Sequence, residues 1–164
     1  TKSESAMTVK DRFIAHNYRQ AEPPPMTVEF TTRLIAEARG LIGVPFRLHG
    51  RSERGLDCVG LVALAALRSG HRGAVPQGYM LRGGRLIDFA EWAMAAGLVP
   101  VVEAQPLPGD VVLARVGAGQ WHVMLRVDGG FVHAHMGLRR VVETPGASPW
   151  PVEGVWRFPF DVQQ

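Results

Sequence analysis

Apolar residues recur at helical spacing in three segments of the first hundred residues. The first segment follows Thr27, the expected N-cap, and ends near Gly40. Its apolar residues are Phe30, Leu34, Ile35, Ala38 and Leu41. A loop rich in glycine and arginine is predicted over residues 43–55. The second helix is predicted over residues 57–70, and its apolar residues lie nearly all round, which indicates burial on most sides. The third is predicted in residues 85–97, where the final glycine ends it.

After PLPGD the hydrophobic period changes from helical spacing to alternation. Alternation over short runs bounded by glycine or proline predicts five strands: GDVVLARV, WHVMLRV, GFVHAHM, RRVVET and GVWRFPF. The sequence DGG at residues 128–130 predicts a hairpin turn between the second and third of them. Helices followed by an antiparallel sheet indicate an α+β fold.

Two parts of the chain differ in composition. Residues 1–25 end in AEPPP, where the three prolines predict a stiff spacer, so we expect an N-terminal arm or linker here. Residues 26–164 are predicted to form a single domain, since the length of 164 residues favours one domain with a sizeable core.

Composition and charge exclude several functional classes. The net charge of +3 comes without a basic stripe, which argues against nucleic-acid binding. The longest apolar run, VGLVALAAL at residues 59–67, is too short to span a membrane. A single cysteine excludes an intrachain disulfide framework. The polar start TKSESAMTVKDRF shows no signal peptide, so we expect synthesis in the cytoplasm.

The sole cysteine, Cys58, stands where the second predicted helix begins. Unpaired amide N–H groups and the positive end of the helix dipole stabilise a thiolate there, so we expect a lowered pKa for Cys58. The same N–H groups are suited to receive an oxyanion in an acyl-transfer transition state. A lone cysteine is more often a small buried hydrophobic residue, and only a base within reach favours the catalytic interpretation.

Three histidines are candidates for that base. If residues 128–129 form a two-residue turn, His122 stands opposite His135, and the side chains of all three share one face of the sheet. A three-residue turn would place His133 and His135 on the opposite face. The shared face offers His122 as a base and a second imidazole to orient its ring, with both later histidines as candidates. A zinc site is the alternative, but it leaves the position of the cysteine unexplained.

Four blocks of the sequence, in this order, resemble those of the NlpC/P60 cell-wall peptidases, which are papain-like cysteine hydrolases: ARGLIGVPFRLHG, GLDCVGLV, LPGDVVL and HVMLRVDGGFVHA. Together they cover most of the chain, roughly residues 33–135. The resemblance implies a papain-like α+β fold in which the N-terminal helices, including the nucleophile helix, pack on an antiparallel sheet. It implies neither a metal ion nor an organic cofactor.

The matched positions imply roles for particular residues. Cys58 is implied as the nucleophile, His122 as the general base, and His133, in FVHA, as the residue that orients His122. Asp57 matches a position linked in some members to the free amino group of the substrate. From the sequence alone, Asp57 is predicted to be a helix cap. His135 is expected at the substrate site.

Two positions depart from the family pattern. Many relatives have tyrosine where this chain has Phe46, which is expected near the substrate but cannot donate a hydrogen bond. Many also have serine where this chain has Val59. Neither departure changes the nucleophile or the base. Outside these blocks, Trp150 in the ASPWP loop is expected to cover an end of the sheet or to form the wall of a groove.

The resemblance implies a cysteine endopeptidase or amidase that hydrolyses peptidoglycan stem peptides through a thioester, at the bond between D-γ-glutamate and a diamino acid. The motif DCVGL resembles the phage-tail and gene-transfer-agent branch, which implies tail or baseplate proteins as partners and action at the cell wall as part of a particle. Two alternatives stay open. One is a catalytically silent wall-binding or structural module, and the other is a different thiol acyltransferase.

Overall fold

The helices come first along the chain and the sheet follows, as the change in hydrophobic period predicts. The computed structural model describes residues 28–102 and 105–159. The helices of these ranges match the three predicted ones: α1 (Val28–Gly40), α2 (Cys58–Arg68) and α3 (Leu86–Ala95). None of them has the length and apolarity that crossing a membrane requires. The predicted arm, residues 1–25, and the predicted Thr27 cap lie outside the described residues.

The segment between α1 and α2 differs from the loop predicted over residues 43–55. It contains a short antiparallel hairpin of β1 (Arg51–Ser52) and β2 (Gly55–Leu56). The backbone N–H of Arg47 donates to the C=O of Leu56 at 3.1 Å, which ties the hairpin to the preceding segment. Strands of two residues are too short to show an alternating pattern, which is why the sequence does not predict them.

A six-stranded antiparallel sheet forms the second half of the described chain. Its strands are β3 (Val99–Pro100), β4 (Val111–Gly117), β5 (Gln120–Val127), β6 (Gly130–His135), β7 (Arg140–Pro145) and β8 (Val152–Arg157). The spatial order is β3-β8-β4-β5-β6-β7. The five predicted strands correspond to β4 through β8, and the two-residue edge strand β3 was not predicted. The α+β fold class is therefore confirmed.

The sheet separates two apolar clusters. The first lies under the helices and includes Leu34 of α1, Leu61 of α2 and Phe89 of α3, so each of these three helices packs on this face. The second cluster lies on the other face, where the partly buried Trp150 packs against it: Val112, Ala114, Met124, Phe131 and Val155. Successive residues of β4 and β5 alternate between the clusters, as strand geometry requires.

Candidate active site

The helix that carries the cysteine begins at a fixed point. Asp57 is its N-cap, and the carboxylate accepts the N–H of Gly60 at 2.7 Å, which confirms the predicted cap. A Cβ atom at Gly60 would lie 2.0 Å from the carbonyl oxygen of Gly50. Only glycine leaves room for this contact, so the first turn of α2 lies directly on the preceding backbone. Cys58 is the first residue of the helix.

The carboxylate of Asp57 is fully buried and accepts several hydrogen bonds. Besides Gly60, its donors are the backbone N–H of His49 at 2.8 Å, the Arg51 guanidinium at 3.3 Å and the Tyr79 hydroxyl. Burial and the bond to Asp57 raise the pKa of Tyr79, so its hydroxyl remains protonated. A substrate amino group would have to displace one of these donors, and the implied amine contact of Asp57 stays a prediction.

The Cys58 thiol lies inside the helix-side cluster with none of its surface exposed. Burial and, secondly, the charge of Asp57 raise its pKa to about 12. The amides of Val123, Val59 and Cys58 itself act in the opposite direction, as the helix N-terminus predicts. The expected lowering of the thiol pKa is nevertheless wrong, because loss of hydration outweighs these amides.

The histidines share one face, as the two-residue turn predicts. Val127 pairs with Gly130, which leaves residues 128 and 129 as the turn. His122 Nε2 and His133 Nδ1 are 2.7 Å apart, and His133 Nε2 is 2.8 Å from the Thr144 hydroxyl. We call His122, His133 and Thr144 the histidine relay. If each Nε2 carries its proton and donates along this line, Nδ1 of His122 is left as a free acceptor.

His135 does not take part in the relay. Its Nδ1 accepts the backbone N–H of Leu138 at 3.1 Å, and its ring centroid is 5.5 Å from that of His133. His133 is therefore the residue that is hydrogen-bonded to His122, although the catalytic role of either stays a prediction. Among the residues that the structure describes, no group of three His, Cys, Asp or Glu side chains could hold a metal ion.

Both imidazoles of the relay are neutral near pH 7. Burial, followed by the neighbouring His133 and His135, lowers the pKa of His122 to about 3. Burial and His135 lower the pKa of His133 to about 4. A buried imidazole that carries a charge loses its hydration, and neighbouring imidazoles cannot all be charged together. The site therefore contains a neutral thiol and neutral imidazoles.

The Cys58 thiol and the His122 ring are associated with adjacent residues of β5 and have different partners. The amide of Val123, the residue after His122, interacts with the thiol, so the sulfur lies against the strand there. The His122 ring packs instead against Trp150, with centroids 5.4 Å apart. Within the described ranges the hydrogen bonds of the His122 ring include its bond to His133 and none to Cys58. The nucleophile–base pair stays a prediction.

A groove of about 220 Å³ opens beside the relay. Phe46 and His135, both expected at the substrate site, lie in its wall with His122, and the other lining residues include Leu81, Gln120, Trp121, Met136 and Trp150. The side chains that line this groove are mostly apolar and carry no fixed charge. The groove is thus suited to an extended peptide whose backbone forms hydrogen bonds with polar groups near the histidines.

Three residues of the site were not predicted from the sequence. Thr144 completes the relay, but only the β6–β7 register brings it beside His133. Tyr79 and Arg51 bind Asp57 from irregular or very short segments, where periodicity gives no indication of position. The alternation in RRVVET does show which of its residues share a face, so Thr144 could have been considered as a partner.

Comparison with known proteins agrees with the motifs. The sequence profile described as the NlpC/P60 family matches residues 43–152, which is more than half of the chain. The chain belongs to the NlpC/P60 family. No curated protein matches it closely enough to count as a relative. Membership confirms the family resemblance and the papain-like fold class, but not the phage-tail and gene-transfer-agent branch.

Solved structures of NlpC/P60 proteins share this fold. The NlpC/p60 domain of the peptidoglycan hydrolase SagA is 21% identical, with a TM-score of 0.52 over 70% of this chain and 88% of that one. The peptidoglycan hydrolase RipB from Mycobacterium tuberculosis is 22% identical, with a TM-score of 0.55 over 92% and 79%. NlpC1 from Trichomonas vaginalis is 21% identical, with a TM-score of 0.61, and the match spans 87% of this chain but only 49% of NlpC1.

The buried thiol should be slow to alkylate in the folded, substrate-free protein. We expect iodoacetamide at about pH 7.5 to modify native Cys58 at least about a hundredfold more slowly than the urea-unfolded chain, because burial removes both access and thiolate. Mass spectrometry of timed samples measures this, and the single cysteine makes the result unambiguous. As a control, Ser52→Cys in a Cys58→Ser background should react at the unfolded rate. Equal rates for native and unfolded Cys58 would contradict the burial.

Acid should destabilise the fold through the relay. Unfolded histidines take up protons below about pH 6.5, whereas His133 and His122 stay neutral in the fold down to pH values of about 4 and 3. Stability is therefore complete above about pH 6.5 and decreases progressively below it. Urea midpoints at about pH 7, 5.5 and 4.5 measure the effect. His122→Gln should show a shallower dependence, and an unchanged dependence in that variant would refute the assignment.

Proposed function

We propose that this protein is a cysteine endopeptidase or amidase that hydrolyses peptidoglycan stem peptides. One observation carries the proposal. The thiol of Cys58, at the start of α2, lies against β5 at the amide of Val123, directly beside the residue that begins the histidine relay. Membership of the NlpC/P60 family supports it, as does the similarity to SagA and RipB, which are peptidoglycan hydrolases.

In the proposed first step, Cys58 attacks the amide carbonyl of the substrate. Its proton passes to Nδ1 of His122, the nitrogen that His133 does not use. Since thiol and imidazole are both neutral beforehand, the thiolate forms together with the attack. The backbone N–H groups at the start of α2 stabilise the oxyanion. His133 and Thr144 hold the His122 ring in the orientation and tautomer that leave Nδ1 free.

In the second step the tetrahedral intermediate collapses to a thioester. The C–N bond breaks, and the His122 imidazolium donates its proton to the leaving amine. Water then attacks the thioester carbonyl while His122 takes a proton from it. The C–S bond breaks, and the His122 imidazolium returns the proton to the departing sulfur, which releases a carboxylic acid and restores the thiol. Every proton transfer in this scheme uses one nitrogen of one ring. The scheme involves no redox change and no co-reactant other than water.

The proposed substrate bond joins D-γ-glutamate to a diamino acid such as diaminopimelate. Support for this choice comes from the family resemblance of the four sequence blocks. The groove beside the relay supports an extended peptide as the ligand, because its lining is mostly apolar and also contains the polar side chains of Gln120, His122 and His135. We infer that Phe46, which lacks a hydroxyl, contacts the substrate through its ring alone.

A catalytically silent wall-binding module is the second candidate. The complete burial of the thiol and its pKa of about 12 favour it, since both oppose formation of a thiolate. Phe46 also removes a hydroxyl that many relatives have near the oxyanion. Binding of intact peptidoglycan without release of fragments would identify this function, and it would leave Cys58 as a packing residue.

Cys58→Ala should abolish turnover. Incubation of purified peptidoglycan sacculi with the wild type should release stem-peptide fragments, and the variant should release them at least about a thousandfold more slowly, because no nucleophile remains. Liquid chromatography with mass spectrometry measures the fragments, and their masses separate hydrolysis from acyl transfer to an amine. Ser52→Ala, at an exposed site, is the matched control. Equal release by Cys58→Ala and wild type would disprove the mechanism.

We also propose that the protein is made in the cytoplasm and reaches the cell wall as a component of a phage-like particle, with tail or baseplate proteins as partners. The motif DCVGL supports this, through its resemblance to that branch of the family. In density-gradient fractions of a producing strain, the chain should sediment with tail proteins, as measured by quantitative mass spectrometry. Recovery only in the free soluble fraction, while particles are present, would contradict this proposal and leave the hydrolase proposal intact.

A further inference from the structure

Trp150 is in contact with every histidine of the site. Its ring lies 5.4 Å from His122 at an interplanar angle of 82°, and 5.8 Å from His133 at 87°. The distance to His135 is 6.0 Å. Edge-to-face geometry is the favoured contact between aromatic rings. Trp150 and His122 both line the groove, so the indole lies beside the His122 ring at the wall of the space in which a substrate would lie.

The loop that presents Trp150 holds the indole in a fixed position. Proline precedes and follows it, and the Ser148 hydroxyl accepts the backbone N–H of Trp150 at 3.2 Å and donates to its C=O at 2.7 Å. The C=O of Pro151 accepts the N–H of Arg115 on β4 at 2.9 Å. Packing on the second apolar cluster completes the support. The indole is thus held before any ligand binds, which reduces the ordering cost of binding.

Few polar groups surround the relay on its other sides. On β6 the neighbour is His135, and on β7 Arg140 pairs with His135 across the strands while Thr144 bonds His133. On the helix side, the Cys58 thiol lies against β5. His122 is 8% exposed and His133 is fully buried. Trp150 is therefore the large apolar side chain of the groove wall that packs against both imidazoles.

We propose that Trp150 is a positioning residue, which closes the groove side of the histidine relay to water and holds the His122 ring in the orientation that the reaction needs. Its catalytic consequence rests on the proposed function, but its effect on the imidazoles does not. Without the indole, water would reach both rings and hydrate their charged forms. Hydration of the imidazolium raises the pKa of a histidine, so protonation would set in at higher pH.

The test is a titration of the histidine imidazoles by nuclear magnetic resonance in wild type, Trp150→Ala and Trp150→Phe. In the wild type, the His122 and His133 signals should not shift between about pH 8 and pH 5. In Trp150→Ala, the midpoints of both should rise by about one unit or more. Trp150→Phe retains an aromatic edge and should stay near the wild type. If the His122 and His133 midpoints in Trp150→Ala equal those of the wild type, the proposal is overturned.

A matched control separates this effect from general loss of aromatic packing. Trp121 lines the same groove, but its indole N–H donates to the C=O of Gly84 and its ring packs against Phe89. Trp121→Phe should therefore leave both imidazole midpoints unchanged, and a rise equal to that of Trp150→Ala would also overturn the proposal. If Trp150→Ala does not fold, Trp150→Leu becomes the deciding variant, because leucine still covers the second cluster but is too short to cover both rings.

Activity gives a second readout. In Trp150→Ala the acidic limb of kcat/KM should move to higher pH by the shift that the titration shows, with kcat reduced and KM little changed. A merely structural role would lower activity equally at every pH, and that result would refute the positioning role. If no fragments are released even by the wild type, the proposed function fails, and the titration alone still decides whether Trp150 excludes water from the relay.

Discussion

The candidate site depends on one buried carboxylate. Asp57 caps the helix that carries the thiol and also binds Arg51 of the short hairpin and Tyr79 of the following loop. A buried carboxylate without such donors would be strongly destabilising, so each of these segments is held where it can supply one. The starting point of the helix, and with it the position of the sulfur, follows from the requirement to satisfy this group.

The carboxylate that positions Cys58 also disfavours formation of its thiolate. Burial is the largest cause of the raised pKa of Cys58, and the charge of Asp57 is the second. The amides at the start of the helix lower this pKa. Burial and the neighbouring imidazoles keep His122 and His133 neutral. The substrate-free site is thus dry and uncharged at the reacting groups. Where water is excluded, fixed dipoles interact more strongly with the charge that develops during a reaction. Catalysis here would therefore depend on backbone amides more than on a preformed ion pair.

Much of this arrangement could be predicted from the sequence, and the reasons are physical. Helical spacing and alternation are local properties, so the three helices and five strands were predictable. The sequence DGG predicted the hairpin but allowed two turn lengths, and the structure has the two-residue turn that puts the histidines on one face. Burial depth is not local. The thiol stands at a helix start, which favours ionisation, but only the packed structure shows that it is dehydrated. Tyr79 and Thr144 were missed because loop paths and the β6–β7 register, rather than periodicity, bring them to the site.

The contact between Gly60 and the carbonyl of Gly50 has a consequence for how this protein can vary. Side chains elsewhere in the helix can be exchanged for others of similar volume, but an added Cβ atom at Gly60 would lie 2.0 Å from an oxygen that cannot turn away, and one at Gly50 would lie 2.2 Å from the carbonyl of Gly55. Both obstacles are main chain, so no compensating substitution of a neighbouring side chain relieves them. At both of these positions, next to the nucleophile helix, glycine is therefore the single acceptable residue, whatever changes occur in the side chains around them.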